Sequence, residues 1–477
     1  MKLNRTLTSL FSAAVLTAAN ATVTTYPAPK EVELNNSFSV EVRQGGGNWL
    51  PVDVYRVYVD EVIETSHKVK PTSMAYFDFD GEVDVRVVSN NQRVKTASVR
   101  PLSNNILPDV KGDTISFSLD CPRKLSIEVN GEIFDNLQLF ANALDPDAPT
   151  AKQLKKLKKD KNYIYFAPGY HKLTEELTVG SNQTVYIAGG AFVDGVIRVR
   201  DAENVKISGR GMVYPKRDMG IMTIRSKNVS ISGLFTTQCG VGESDGVDID
   251  NVKLMSYWGW GDGFNVFASS NVHYNDVFAR TSDDCTTIYC TRKDYHGSCH
   301  NILMENSILW ADVAHPILIG LHSETEEDEV IENAVYRNID ILDMKEKQID
   351  YQGAMSITCG DNTTVRDIHF EDIRVENFRE GKLIDIRICY NKKYCSAPGL
   401  AVEDIYFKDI VYNGDNSEMS LIIGYDETRK VKGVHFENLM INGKKISDDM
   451  PGKPKWYKTG DMARIFIGEH VENVTFD

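Results

Sequence analysis

Up to about residue 144 the chain runs in short alternations of apolar and polar residues, such as Ser39-Val40-Glu41-Val42, Val52-Asp53-Val54-Tyr55-Arg56-Val57-Tyr58 and Glu82-Val83-Asp84-Val85-Arg86-Val87. Period-two alternation between turn residues predicts half-buried strands, here an antiparallel β-sandwich over residues 22–145. The stretch Asn142-Ala143-Leu144-Asp145-Pro146-Asp147-Ala148-Pro149 breaks the pattern with two prolines and marks a boundary. Beyond it the alternation becomes repetitive.

From Tyr163 onward an asparagine is followed by alternating apolar residues: Asn182-Gln183-Thr184-Val185, Asn204-Val205-Lys206-Ile207, Asn228-Val229-Ser230-Ile231, Asn251-Val252-Lys253-Leu254, Asn271-Val272-His273-Tyr274 and Asn301-Ile302-Leu303-Met304. Successive starts lie 22, 24, 23, 20 and 30 residues apart, and later copies begin at Val365, Val402, Val434 and Val474. A strand this short cannot bury its apolar side alone, so stacking on the next coil must supply the partner. The expected fold is therefore all-β, with a right-handed parallel β-helix over residues 146–477. Asparagine suits the left-handed turns of such coils and can ladder between them. A β-propeller is disfavoured because its repeats run to about 40–50 residues.

The N-terminus adds an export reading. Met1-Lys2-Leu3-Asn4-Arg5, an apolar run from Leu7 to Ala18, and Ala19-Asn20-Ala21 follow the charged, apolar and small-residue order of a cleavable signal peptide over residues 1–21. The run is too short to span a bilayer, and no membrane insertion is expected. A net charge of −15, without clustered Lys and Arg, excludes a nucleic-acid partner. The eight cysteines permit short bridges such as Cys290 with Cys299 and Cys389 with Cys395, or buried free thiols. No zinc spacing occurs, so neither a metal nor a cofactor is expected. The oligomeric state is left open.

Candidate chemistry centres on Gly261-Asp262-Gly263 and, one repeat later, Asp283-Asp284-Cys285. The offsets of 21 and 22 residues match one coil, which brings three carboxylates together. Glycoside hydrolysis requires such a group, one acid protonating the leaving oxygen and another activating water. Consecutive residues face opposite sides of a strand, so Asp283 and Asp284 share the groove only at a strand end or bulge. Trp258 and Trp260, expected on one face, and Tyr257 are candidates for stacking on sugar rings or for core packing. His315, Tyr289 and Arg292 are candidate substrate-binding residues, with His322 and Glu324 as further lining.

The motif set resembles the pectinase-like glycoside hydrolases, family 28 polygalacturonases and family 49 dextranases. Gly261-Asp262-Gly263 takes the place of Asn-Thr-Asp, Asp283-Asp284 matches the Asp-Asp pair, and Ala314-His315-Pro316 stands where family 28 has Gly-His-Gly. The phrase Ile308-Leu309-Trp310 and the sandwich ahead of the helix resemble family 49. The resemblance implies that Asp283 is the general acid, that Asp262 and Asp284 activate water, and that the anomeric centre inverts. It implies a polysaccharide or oligosaccharide as substrate. The family 28 Arg-Ile-Lys motif is replaced by Gly353-Ala354-Met355-Ser356-Ile357, without a cation, which inclines the reading toward a neutral or differently decorated glycan. Two other classes stay open. A calcium-dependent lyase could use Asp245, Asp248 and Asp250 as oxygen ligands, and a non-catalytic carbohydrate-binding helix would need only the aromatic residues.

Overall fold

A computed structural model describes residues 22–63, 66–216 and 219–477, so the expected signal peptide lies outside the described residues. Two sheets form the N-terminal part, one of six strands and one of five. Their alternating residues, among them Val40, Val85, Phe77 and Leu139, meet in one buried core. The pairing is antiparallel with one exception: Leu137–Ala143 runs parallel to Ser73–Phe79. The long hairpin of Val54–Ile63 and Ser66–Phe79 closes with Ile63 opposite Ser66.

The remainder is a right-handed parallel β-helix, with one wall an 11-stranded parallel sheet from Leu177–Val179 to Ile465–Ile467. Inward positions repeat the same residue type from coil to coil. Phe370, Phe407, Phe436 and Phe476 stack at 4.8, 4.9 and 4.7 Å between ring centroids, which is the spacing of neighbouring strands. The repeat asparagines sit at coil corners with positive φ, Asn204 at 57° and Asn228 at 51°. They ladder as expected: Asn228 Nδ2 donates to Asn204 Oδ1 at 2.6 Å, and Asn301 Nδ2 to Asn271 Oδ1 at 2.9 Å.

One repeat start is corrected. Val229 pairs with Val247, so the copy after Asn228 begins at Gly246, and Asn251 occupies a different corner of the same coil. Each coil has more than one left-handed corner, and the sequence period alone does not tell them apart.

Buried ions join the two parts. Arg280, fully buried, pairs with Asp312 and donates to Asn136 Oδ1 (3.0 Å) and the Ile133 carbonyl (2.8 Å) of the N-terminal sheet. Arg100 bridges Glu128 and Glu376, while Trp310 lies against both guanidinium groups. Buried charges are tolerable only when paired and hydrogen-bonded, so these contacts hold the sandwich in one orientation on the helix. Among the described residues no helix is long and apolar enough to cross a membrane. All eight cysteines are free thiols, so no bridge closes either short loop.

Candidate active site

The acids sit at a corner. Ser282 to Cys285 link strand Phe278–Thr281 to strand Thr286–Tyr289, and the preceding coil makes the same corner before Phe264–Phe267. Because Asp283 and Asp284 lie outside any strand, the alternation that would send them to opposite faces does not apply. Phe264 pairs with Thr286 and Thr287 with Leu318, so Asp262, Asp284 and His315 occupy one position on three successive coils. Backbone bonds tie these corners: Gly263 N–H donates to the Asp284 carbonyl (2.9 Å), and Cys285 N–H to the His315 carbonyl (2.8 Å).

The glycines flanking Asp262 follow from that closeness. A Cβ at Gly263 would lie 2.3 Å from the Cys285 carbonyl oxygen, and one at Gly261 would lie 2.5 Å from Ser282 Oγ. Gly263→Ala is expected to cost about 1–3 kcal/mol through overpacking against backbone. Urea unfolding followed by circular dichroism checks this; a midpoint equal to wild type would count against it.

Each acid has its own surroundings. Asp262 Oδ2 accepts from Asn265 Nδ2 at 2.6 Å. Burial, then the Asp284 charge, pushes its carboxyl up to about 7. Asp283 is raised well above the usual carboxylate range, first by burial and then by Asp262, Asp284 and Glu346. Asp284 receives three donors: the His315 backbone N–H (3.1 Å) and Nδ1 (2.7 Å) at Oδ1, and the Tyr289 hydroxyl at Oδ2 (3.4 Å). Burial opposes a charge on His315, but the Asp284 charge and hydrogen bond outweigh it and raise the imidazole pKa. A cluster of acids in which one carboxyl retains its proton while a neighbour is held by donors is suited to paired acid and base work.

The other predicted residues divide. Tyr289 reaches Asp284, and its ring meets His322 edge-on at 4.9 Å. Arg292 donates to His322 Nδ1 (3.2 Å), and burial followed by the Arg292 charge pushes that imidazole down to about 3. Trp258 and Trp260 do not share a strand face, because both lie in the turn before Asp262. Trp258 packs edge-on against Tyr257, and Tyr257 is buried against Tyr58, whereas Trp260 is 69% exposed. Glu324 is occupied by its own loop, where its carboxylate accepts the Thr325 N–H at 2.8 Å. Asp245, Asp248 and Asp250 pair outward with Asn271, His273 and Asn275, and among the described residues no acidic cluster is arranged to hold a metal ion.

Several neighbours escape the sequence reading. Glu346, whose carboxyl burial raises, and Tyr351, edge-on to His315 at 4.4 Å, belong to an irregular stretch between strands. Gly353 to Ile357 carry no cation, but the next coil brings Arg387 opposite Thr358 and Asp385 opposite Ser356. Arg387 and the nearby Lys382 are both engaged. Arg387 Nε donates to Asp385 Oδ1 (2.7 Å), and Lys382 Nζ donates to Gln352 Oε1 (2.5 Å).

The model of glycosyl hydrolases family 28 matches residues 183–454, more than half of the chain and all of the corner just described. The chain belongs to that family. It is a glycoside hydrolase of the polysaccharide-acting, pectinase-like β-helical kind. No curated protein matches it in sequence. Among solved structures, Dex49A from Penicillium minioluteum is similar over 93% of this chain and 96% of its own, with a TM-score of 0.60 at 14% identity. A family 28 exopolygalacturonase from Yersinia enterocolitica aligns over 83% of this chain and 96% of its own, at 11% identity and a TM-score of 0.49. A polygalacturonase from Erwinia carotovora ssp. carotovora aligns over 62% and 92%, at 14% identity and a TM-score of 0.43. At such identities the first of these likenesses speaks for the fold of this family 28 hydrolase, not for its sugar.

Proposed function

We propose that this family 28 hydrolase cleaves a glycosidic bond of a polysaccharide with inversion, Asp283 protonating the leaving oxygen while Asp262 and Asp284 activate water. The observation that carries this is the corner itself, where three carboxylates meet and Asp283 holds its proton well above the usual range. Inverting enzymes keep acid and base roughly 6.5–9.5 Å apart to admit a water, a separation compatible with groups placed diagonally on neighbouring coils.

The substrate we favour is a neutral or differently decorated glycan, because Lys382 and Arg387 already bind Gln352 and Asp385. The insertions Cys290 to His300 and Glu324 to Glu332, joined where Thr291 donates to Glu329, wall off one end of the groove in this reading and favour action from a chain end. Export follows from the leader pattern of residues 1–21. Incubation with polygalacturonate, dextran and pullulan, with product anomers followed by proton NMR, tests the reading. The expected product is the inverted anomer from a neutral polymer, with reducing sugar released faster than viscosity falls. A retained anomer, or no cleavage of any polymer, would overturn it.

A further inference from the structure

The long hairpin of the N-terminal sheet lies beside the acid row. Tyr58 on its first strand packs on Tyr257 at 5.1 Å between centroids, just before the Asp262 corner. At its far end the Val62 carbonyl accepts from Lys345 Nζ at 2.7 Å. Lys345 in turn bridges to Ala314, the residue before His315. The hairpin is thus tied to coils on both sides of Asp283 and Asp284, and it runs along the row that they form.

Two side chains stand out where hairpin and helix meet. Trp260, two residues before Asp262, is 69% exposed and has a φ of 71°. Left-handed backbone is an outlier for a bulky aromatic residue, and such strain persists where a site requires it. Across from it is His67, whose ring centroid lies 6.1 Å from that of Trp260 with the planes tilted by 40°. The two rings are tilted, not stacked, and the tryptophan stays largely open to solvent. His67 Nδ1 lies 2.5 Å from Oδ2 of Asp60, a carboxylate with no solvent exposure whose other oxygen has no partner. Burying a carboxylate is costly, and an apolar pair would hold a hairpin equally well. What Asp60 does is set the imidazole: Nδ1–H donates to the carboxylate, which fixes the ring orientation and leaves Nε2 for another partner.

We propose that Trp260 and the Asp60-held His67 form a sugar subsite beside the acids, built jointly by the β-helix and the N-terminal sheet. The apolar face of a pyranose stacks on the indole, and one of its hydroxyls bonds to His67 Nε2. This rests on the glycoside hydrolase reading above. It makes the N-terminal part a specificity element of the groove, with His67 a sugar-binding residue and Asp60 the residue that positions it.

The test uses the full chain and oligosaccharides of increasing length, prepared from whichever polymer the wild type cleaves. Trp260→Ala and His67→Ala are each expected to raise KM roughly 3- to 10-fold for oligosaccharides long enough to reach the subsite. KM should rise more than kcat falls, the shortest cleavable oligosaccharide should be unaffected, and His67→Gln should restore part of the loss. Equal losses at every length, or no change at any length, would overturn the subsite while leaving hydrolysis by the acid row intact. Failure of the wild type to cleave any polymer would overturn the hydrolase reading and the subsite together. Trp260 is exposed, so its variant tests the proposal even if His67→Ala folds poorly.

Discussion

Asp283→Asn is expected to lower kcat by about 10²- to 10⁴-fold, the contribution of a positioned general acid, while leaving the protein at least as stable as the wild type. The first part follows from chemistry, since the amide cannot deliver a proton to the leaving oxygen. The second follows from linkage. Burial and the charges of Asp262, Asp284 and Glu346 raise the Asp283 pKa, so the folded protein holds this proton to higher pH than the unfolded chain does. The stabilisation from that proton is fully present below the unfolded value of about 4. It is lost as pH rises through the folded value. Near neutrality the wild type therefore carries a strained acid cluster that the amide relieves. Initial rates on the cleaved polymer, with thermal unfolding at pH 5 and pH 8, check both parts; unchanged turnover would remove Asp283 from the acid role. A variant that is inactive and also much less stable at pH 8 would contradict the electrostatic account. Because Asp262 and Asp283 interact, the pH profile reports the pair, not either residue alone.

His315→Ala is the second large effect. The imidazole donates Nδ1–H to Asp284 at 2.7 Å from a fully buried position, where burial opposes its charge but the Asp284 carboxylate raises its pKa. Truncation removes one of the three donors that aim Asp284 and, below the raised pKa, the positive charge beside it. A loss of roughly 10²-fold in kcat/KM is expected, comparable to deleting one preorganised donor. The part that depends on charge is present at low pH and fades as pH rises through the raised pKa, while the neutral ring still donates Nδ1–H, so the gap between variant and wild type should narrow toward alkaline pH without closing. Parallel profiles, separated by a constant factor at every pH, would show that the ring acts without its charge, through the Nδ1–H bond and its packing against Tyr351. Thermal unfolding of the same variant separates a collapsed cavity from a lost charge.

Much of the site was legible because a coil repeats. The offset of 22 from Asp262 to Asp284 is the observed register of Phe264 with Thr286, and His315 falls one coil further on the same line. Asparagine at corners was legible because few other residues accept positive φ. The same preference misled at Asn251, since more than one corner per coil takes asparagine. The two tryptophans misled for a different reason: alternation applies to strands, and they lie in a turn whose shape depends on Ser256 and Ser282 bonding to it. Glu346, Tyr351 and Lys345 carried no signal, because their stretch follows no period.

By itself, then, the sequence determined the β-helix, the sandwich ahead of it, and three acids on stacked coils, because periodic burial leaves such a chain few other ways to hide its apolar residues. Tertiary structure decided what surrounds those acids. The depth of burial that raises Asp283, the imidazole that holds Asp284, and the hairpin that brings His67 to Trp260 all depend on contacts between segments far apart in the chain, and no local pattern encodes those distances.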